Sequence, residues 1–194
     1  MRVALFGGTF DPIHRGHLAI AEAAANRFAL DKVLFAPVGK QPLKLGMAEG
    51  AGFADRLAMV TVACEADARF VATDVDAPRA DEAPNYTVDT LEQLHHEMPE
   101  ATLFTLVGVD SFLDLPRWRQ PDKLIELAEW IVVSRPGFSS PTALPARVHL
   151  LDGVWEDVSA TELRERLRSG EDCSDLLPPP VLRYIREHHL YGHD

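Results

Sequence analysis

The chain has 194 residues, 46% of them hydrophobic and 25% charged, and carries a formal charge of −11 at pH 7. That length suits one domain with a full core, and the composition is that of an ordinary globular protein. The acidic surface repels nucleic acid and anionic lipid, so neither partner is expected, whereas phosphate-bearing small molecules remain open to a few converging Lys and Arg side chains.

Cys64 and Cys173 are the only cysteines. They are too few for a disulfide framework and lack metal-ligand spacing, and Cys64, in an apolar helical pattern, reads as a core filler. No signal peptide precedes the first predicted strand and no apolar run approaches bilayer length, so a cytoplasmic location is expected.

Arg2 to Phe6 is a short apolar run ending in Gly7-Gly8, as a buried strand ends. Gly16 to Phe28 follows with helical spacing, then a second apolar run from Val33 to Pro37, together a βαβ unit. Val38 to Gly52 has no periodicity and is expected to be a mobile loop. Helix resumes over Phe53 to Ala66, a strand over Phe70 to Thr73, and an acidic loop over Asp74 to Pro84.

Thr87 to Met98 has a helical pattern stopped by Pro99, and Thr102 to Gly108 is the most strand-like stretch. A further helical stretch leads to a strand at Trp130 to Ser134, a loop at Gly137 to Pro145 and a last strand at Val148 to Leu151. Helical patterns over Thr161 to Ser169 and Pro180 to His189 close the chain. The alternation predicts a doubly wound, Rossmann-like α/β fold, a parallel sheet with helices on both faces. Residues 1–194 read as a single domain, with a C-terminal helical segment from about 159.

The stretch Gly7-Gly8-Thr9-Phe10-Asp11-Pro12-Ile13-His14-Arg15-Gly16-His17 is the most informative. It lies at the carboxyl end of the first strand, where open α/β sheets bind ligands. Gly7 and Gly8 permit close backbone approach and unusual torsions, and the next helix presents unpaired N–H groups. His14 and His17, three apart, can face one side and form a donor cluster suited to a triphosphate. Metal ligation by the pair lacks a third ligand in local sequence, and a purely structural capping role is the other reading. The dinucleotide fingerprint Gly-x-Gly-x-x-Gly is absent, which argues against a nicotinamide-dependent dehydrogenase.

With His14-Arg15-Gly16-His17 after Gly7-Gly8-Thr9-Phe10-Asp11-Pro12, the segment resembles the signature of the nucleotidyltransferase superfamily. Ser159-Ala160-Thr161-Glu162-Leu163-Arg164 resembles its second motif, Ser-x-Thr-x-x-Arg, while also having capping-box spacing from Ser159 to Glu162. The resemblance implies that Gly7, Gly8, Thr9, Phe10, His14, His17, Ser159, Thr161 and Arg164 bind ATP. Among these, His14, His17 and Arg164 carry catalysis.

Three further stretches resemble the nicotinate branch of that superfamily. They are Pro84-Asn85-Tyr86-Thr87-Val88-Asp89-Thr90, with Asn85 in place of Ser, Gly108-Val109-Asp110-Ser111, and Leu115-Pro116-Arg117-Trp118. The ending through Tyr184-Ile185 to Leu190-Tyr191 is similar too. This implies adenylyl transfer from ATP, with Mg²⁺, to nicotinate mononucleotide in NAD biosynthesis.

The acceptor residues would be Lys44, Thr87, Asp110, Trp118 and Arg135. Trp118 would stack on the electron-poor pyridine ring, and N–H groups near Thr87 and Arg119 would receive the carboxylate. Asp110 would meet a ribose hydroxyl or a cation; read singly, Trp118 is also a core residue and Asp110 a cap. Lys44 and Arg135 are candidates for the acceptor phosphate, although Gln41 and Leu43 depart from the family's Pro-Pro-His-Lys.

The implied chemistry is direct in-line attack without a covalent intermediate, since no Ser–His or Cys–His arrangement is evident. Rival readings are the same reaction on nicotinamide mononucleotide or phosphopantetheine, or a nucleotide sensor without turnover. Oligomeric state has no sequence signal.

Overall fold

The computed structural model describes residues 1–40, 50–134, 147–154 and 158–192. In chain order the elements are β1 (Arg2–Gly8), α1 (Arg15–Arg27), β2 (Lys32–Pro37), α2 (Phe53–Cys64), β3 (Phe70–Ala72), α3 (Thr87–Glu97) and β4 (Thr102–Gly108). Then come α4 (Val109–Leu113), a 3-10 turn (Leu115–Arg117), α5 (Pro121–Leu127), β5 (Glu129–Val133), β6 (Val148–Leu151), α6 (Ala160–Arg168) and α7 (Pro179–Glu187). A second 3-10 turn, Leu190–Gly192, ends the described chain.

Among the described residues six strands form one parallel sheet, in the order β3-β2-β1-β4-β5-β6. This is the doubly wound arrangement expected from the sequence. Its switch point lies between β1 and β4, where Leu5 stands opposite Thr105. Strand side chains alternate between two separate cores, as the pleat requires. Ala4, Phe6, Val33, Phe35, Phe104 and Leu106 pack on one face, toward α1, α2, α6 and α7. Val3, Leu5, Leu34, Leu103, Val107 and Trp130 pack on the other, toward α3 and α5. Because both faces are covered, the strands read as continuous apolar runs rather than alternating ones.

The expected elements appear with ends shifted by one or two residues. Cys64 is buried in the first core, as expected for a filler. The loop expected over Gly137 to Pro145 and the centre of the one expected over Val38 to Gly52 lie outside the described residues. Among the described residues no helix is long and apolar enough to cross a membrane.

Candidate active site

The site forms around the end of β1, which the two cores approach from opposite sides. On the α1 side the chain leaves Gly8 and turns through Thr9 and Phe10 into His14, the N-cap of α1, in extended backbone (φ −139°, ψ 172°). The unusual torsion expected of the glycine pair falls instead on Phe10 (φ 49°); neither Gly7 nor Gly8 has positive φ. Gly8 matters for another reason: a Cβ there would come to 3.0 Å from the Phe10 ring, which would have to shift. A Cβ on Gly7 or Gly108 would meet nothing within 4 Å, so packing does not demand glycine at these strand ends. Their effect is to keep the switch point open.

The Phe10 ring itself is buried, edge-on to Phe6 at 5.4 Å between centroids, so a side-chain contact with ATP is not available to it. What Phe10 gives the site is the turn. Similarly, the Thr9 carbonyl accepts a 2.7 Å bond from Arg56 Nη1.

His14 and His17 come together as their spacing predicts, with rings stacked at 3.7 Å. The His14 N–H donates to His17 Nδ1 at 3.3 Å, which assigns the proton of a neutral His17 to Nε2. Burial lowers His14 to a pKa of about 4, and burial together with His14 lowers His17 well below the usual value. Burial thus favours the neutral form of both imidazoles at pH 7. Among the described residues, buried His14 Nδ1 has no hydrogen-bond partner.

Arg164 reaches this turn from α6. Its Nη1 donates to the Asp11 carbonyl at 2.8 Å and its Nη2 to Thr161 Oγ1 at 3.3 Å. Ser159 caps α6 as its spacing predicts, its Oγ accepting from the Glu162 N–H. The second motif thus lies against the first.

On the α3 side is a cavity of about 460 Å³, bounded by Gly7 and Gly8 of β1, Gly108 of β4, Thr87 at the start of α3, and Trp118 and Arg119. Trp118 is half-buried, with its indole edge-on to Trp130 at 6.1 Å. Arg119 lies over the Tyr86 ring, 4.8 Å from its centroid, and pairs with Asp89 at 3.5 Å. Thr87 opens α3, where backbone N–H groups and the helix dipole favour an anion.

Thr105 lines the same cavity, and among the described residues its buried Oγ1 has no partner. Asp76 also lines it; burial raises its carboxyl pKa, against the lowering effect of a 2.5 Å bond from Thr90 Oγ1. Asp110 is exposed in the first turn of α4 and is not among the residues bounding this cavity. Lys44 and Arg135 lie outside the described residues.

Several contributors escape sequence reading. The buried Arg56 guanidinium binds the carbonyls of Thr9, Val38 and Ala51, tying the β1 and β2 ends to α2. Asn85 accepts from the Lys40 N–H and donates to the Ala77 carbonyl. Asp11 and Tyr191 meet at 2.6 Å. The motifs containing Asp11, Asn85 and Tyr191 were visible in the sequence, but these contacts were not.

A model of the cytidylyltransferase-like family matches residues 5–166, which places the chain among the nucleotidyltransferases. A probable nicotinate-nucleotide adenylyltransferase of Synechococcus sp. (strain JA-3-3Ab) is 40% identical, covering 98% of this chain and 94% of the relative. Another, from Neisseria meningitidis serogroup B, is 42% identical and covers 98% of each chain. The chain belongs to the nicotinate-nucleotide adenylyltransferase family of enzymes. Its fold matches that of Plasmodium falciparum nicotinic acid mononucleotide adenylyltransferase complexed with NaAD. The TM-score is 0.80 at 19% identity, over 100% of this chain and 98% of that one.

Proposed function

We propose that this chain joins the AMP part of ATP to the 5′-phosphate of nicotinate mononucleotide, giving nicotinate adenine dinucleotide and pyrophosphate. One observation carries the assignment: two chemically different half-sites meet at the Gly7–Gly8 end of β1. One offers imidazole and guanidinium groups, and the other an aromatic cavity ending in the first turn of a helix.

The donor's phosphates rest on the first half-site, against His14, His17, Arg164 and the hydroxyls of Ser159 and Thr161. Neutral His17 donates through Nε2–H, so it can stabilise charge building on the α-phosphate without first acquiring a proton. Arg164 takes the pyrophosphate, for which a permanently charged fork of donors is suited.

The acceptor's pyridine ring stacks on Trp118, and its carboxylate takes the N–H groups at Thr87 and Arg119. Donor groups accept a carboxylate but leave one hydrogen-bond position mispaired against an amide NH₂. Asp110 is assigned to a ribose hydroxyl at the strand ends, and Lys44 and Arg135 to the acceptor phosphate.

The attacking phosphate oxygen is already nucleophilic at neutral pH, so the protein's contribution is alignment and charge stabilisation. Among the described residues no group of three or more His, Cys, Asp or Glu side chains stands ready for a metal ion. Magnesium is assigned to the substrate, as the ATP complex, whose charge it screens.

The test is pyrophosphate release and dinucleotide formation from Mg·ATP with nicotinate mononucleotide, nicotinamide mononucleotide and phosphopantetheine side by side. Nicotinate mononucleotide is expected to exceed the amide by about tenfold or more in kcat/KM, the worth of one mispaired buried hydrogen bond. Absence of dinucleotide from nicotinate mononucleotide contradicts the assignment, and ATP binding without turnover identifies a sensor.

A further inference from the structure

Three stretches far apart in sequence, around Gly50 to Arg56, Arg164 and Tyr191, converge on the Asp11 side chain. Its Oδ1 accepts a 2.6 Å bond from the Tyr191 hydroxyl and a 2.9 Å bond from the Ala51 N–H. Its Oδ2 stands 3.8 Å from Arg164 Nη1, which donates at 2.8 Å to the carbonyl of the same residue. Arg56 adds a second nearby positive charge. Gly50 presses so close that a Cβ there would overlap the Asp11 carboxylate. Asp11 and Arg56 are each 7% exposed, so water screens these charges little.

A carboxylate this close to a guanidinium would ordinarily pair with it through both oxygens at hydrogen-bond distance. Here the longer 3.8 Å separation persists because Oδ1 is already engaged by Tyr191 and Ala51. A tighter Asp11–Arg164 pair would compete with a phosphate for the same donors. Burial and the adjacent Asp11 charge both raise the Tyr191 phenol pKa, so it stays protonated and can only donate this bond to the carboxylate.

We propose that Tyr191 is a positioning residue for the triphosphate half-site: by holding Asp11 Oδ1, it prevents a two-oxygen pair with Arg164 and leaves that guanidinium to the phosphates. The inference rests on the phosphate role proposed above for Arg164. It makes the last turn of the described chain part of the donor site, although Tyr191 itself touches no substrate.

The experiment is a double-mutant cycle of Tyr191→Phe and Arg164→Ala, read as KM and kcat/KM for each substrate with Mg·ATP and nicotinate mononucleotide. Tyr191→Phe keeps the ring and removes only the hydroxyl. In the wild-type background it is expected to lower kcat/KM for ATP about tenfold, the scale of one charge-assisted hydrogen bond, with KM for the acceptor within about twofold. In the Arg164→Ala background the same change is expected to alter kcat/KM for ATP less than about twofold, because its route runs through the missing guanidinium. Equal losses in both backgrounds, unchanged ATP kinetics in folded protein, or losses for both substrates that follow a lower melting temperature would each overturn the inference. If Arg164→Ala alone leaves ATP kinetics intact, the failure lies instead with the phosphate role of Arg164.

Discussion

His14 holds an imidazole in a place that disfavours its charge. The folded-state pKa, about 4, lies below the ordinary value of 6.5, so the unfolded chain binds the proton more readily. The stability this contributes is complete above pH 6.5 and is lost progressively as pH falls toward 4. The full span corresponds to about 3 kcal/mol at 1.36 kcal/mol per pKa unit. Urea denaturation at pH 7 and pH 5, in wild type and His14→Gln, measures it. The wild type should lose more stability than the variant between the two values, and parallel losses would show that His14 is not buried neutral.

Thr105 presents the same tension on the other side of the sheet. Among the described residues its buried hydroxyl has no partner, and a buried hydroxyl left unpaired costs stability. Thr105→Val keeps the shape and removes that cost. It is expected to raise unfolding stability by about 1 kcal/mol in thermal or urea melts. A loss of stability would mean that the hydroxyl already has a partner.

At the scale of elements, legibility followed length and burial. The strands were evident because both faces of the sheet are covered, leaving apolar runs such as Val3–Phe6 and Leu103–Val107 with few interruptions. That His14 and His17 face one side was readable because three-residue spacing at a helix start fixes it locally; that their rings stack was not. The Ser159 cap was readable for the same reason.

The five-residue α4 and the 3-10 turn at Leu115–Arg117 are too short to display a helical period, yet they carry the chain from β4 to Trp118. Trp118 could be recognised as a candidate from its motif, but its place in the cavity depends on that unpredicted path. Asp11 and Tyr191 bond across a separation of 180 positions, which no local pattern announces. The glycine pair was identified for the right place and the wrong torsion, because the strain moved to Phe10.

The whole molecule resolves an apparent conflict between its charge and its substrates. A net charge of −11 does not prevent anion binding when Arg56 and Arg164 gather behind one turn and helix ends face the cavities. The strand order places the two half-sites on opposite faces of one sheet, with the open Gly7 and Gly108 ends between them. In the proposed function, this arrangement would bring two nucleotides together from two sides. It also makes a simple demand: damage on one face should be felt by one substrate.

The most direct test is therefore crossed steady-state kinetics of Trp118→Ala and Arg164→Ala. Trp118→Ala should raise KM for nicotinate mononucleotide about tenfold, the loss of one stacked aromatic contact and its buried area, and leave KM for ATP within about twofold. Arg164→Ala should do the reverse, lowering kcat/KM for ATP on the order of a hundredfold with little change in KM for the acceptor. If both variants impaired both substrates alike, the division of the site between the two faces of the sheet would be wrong.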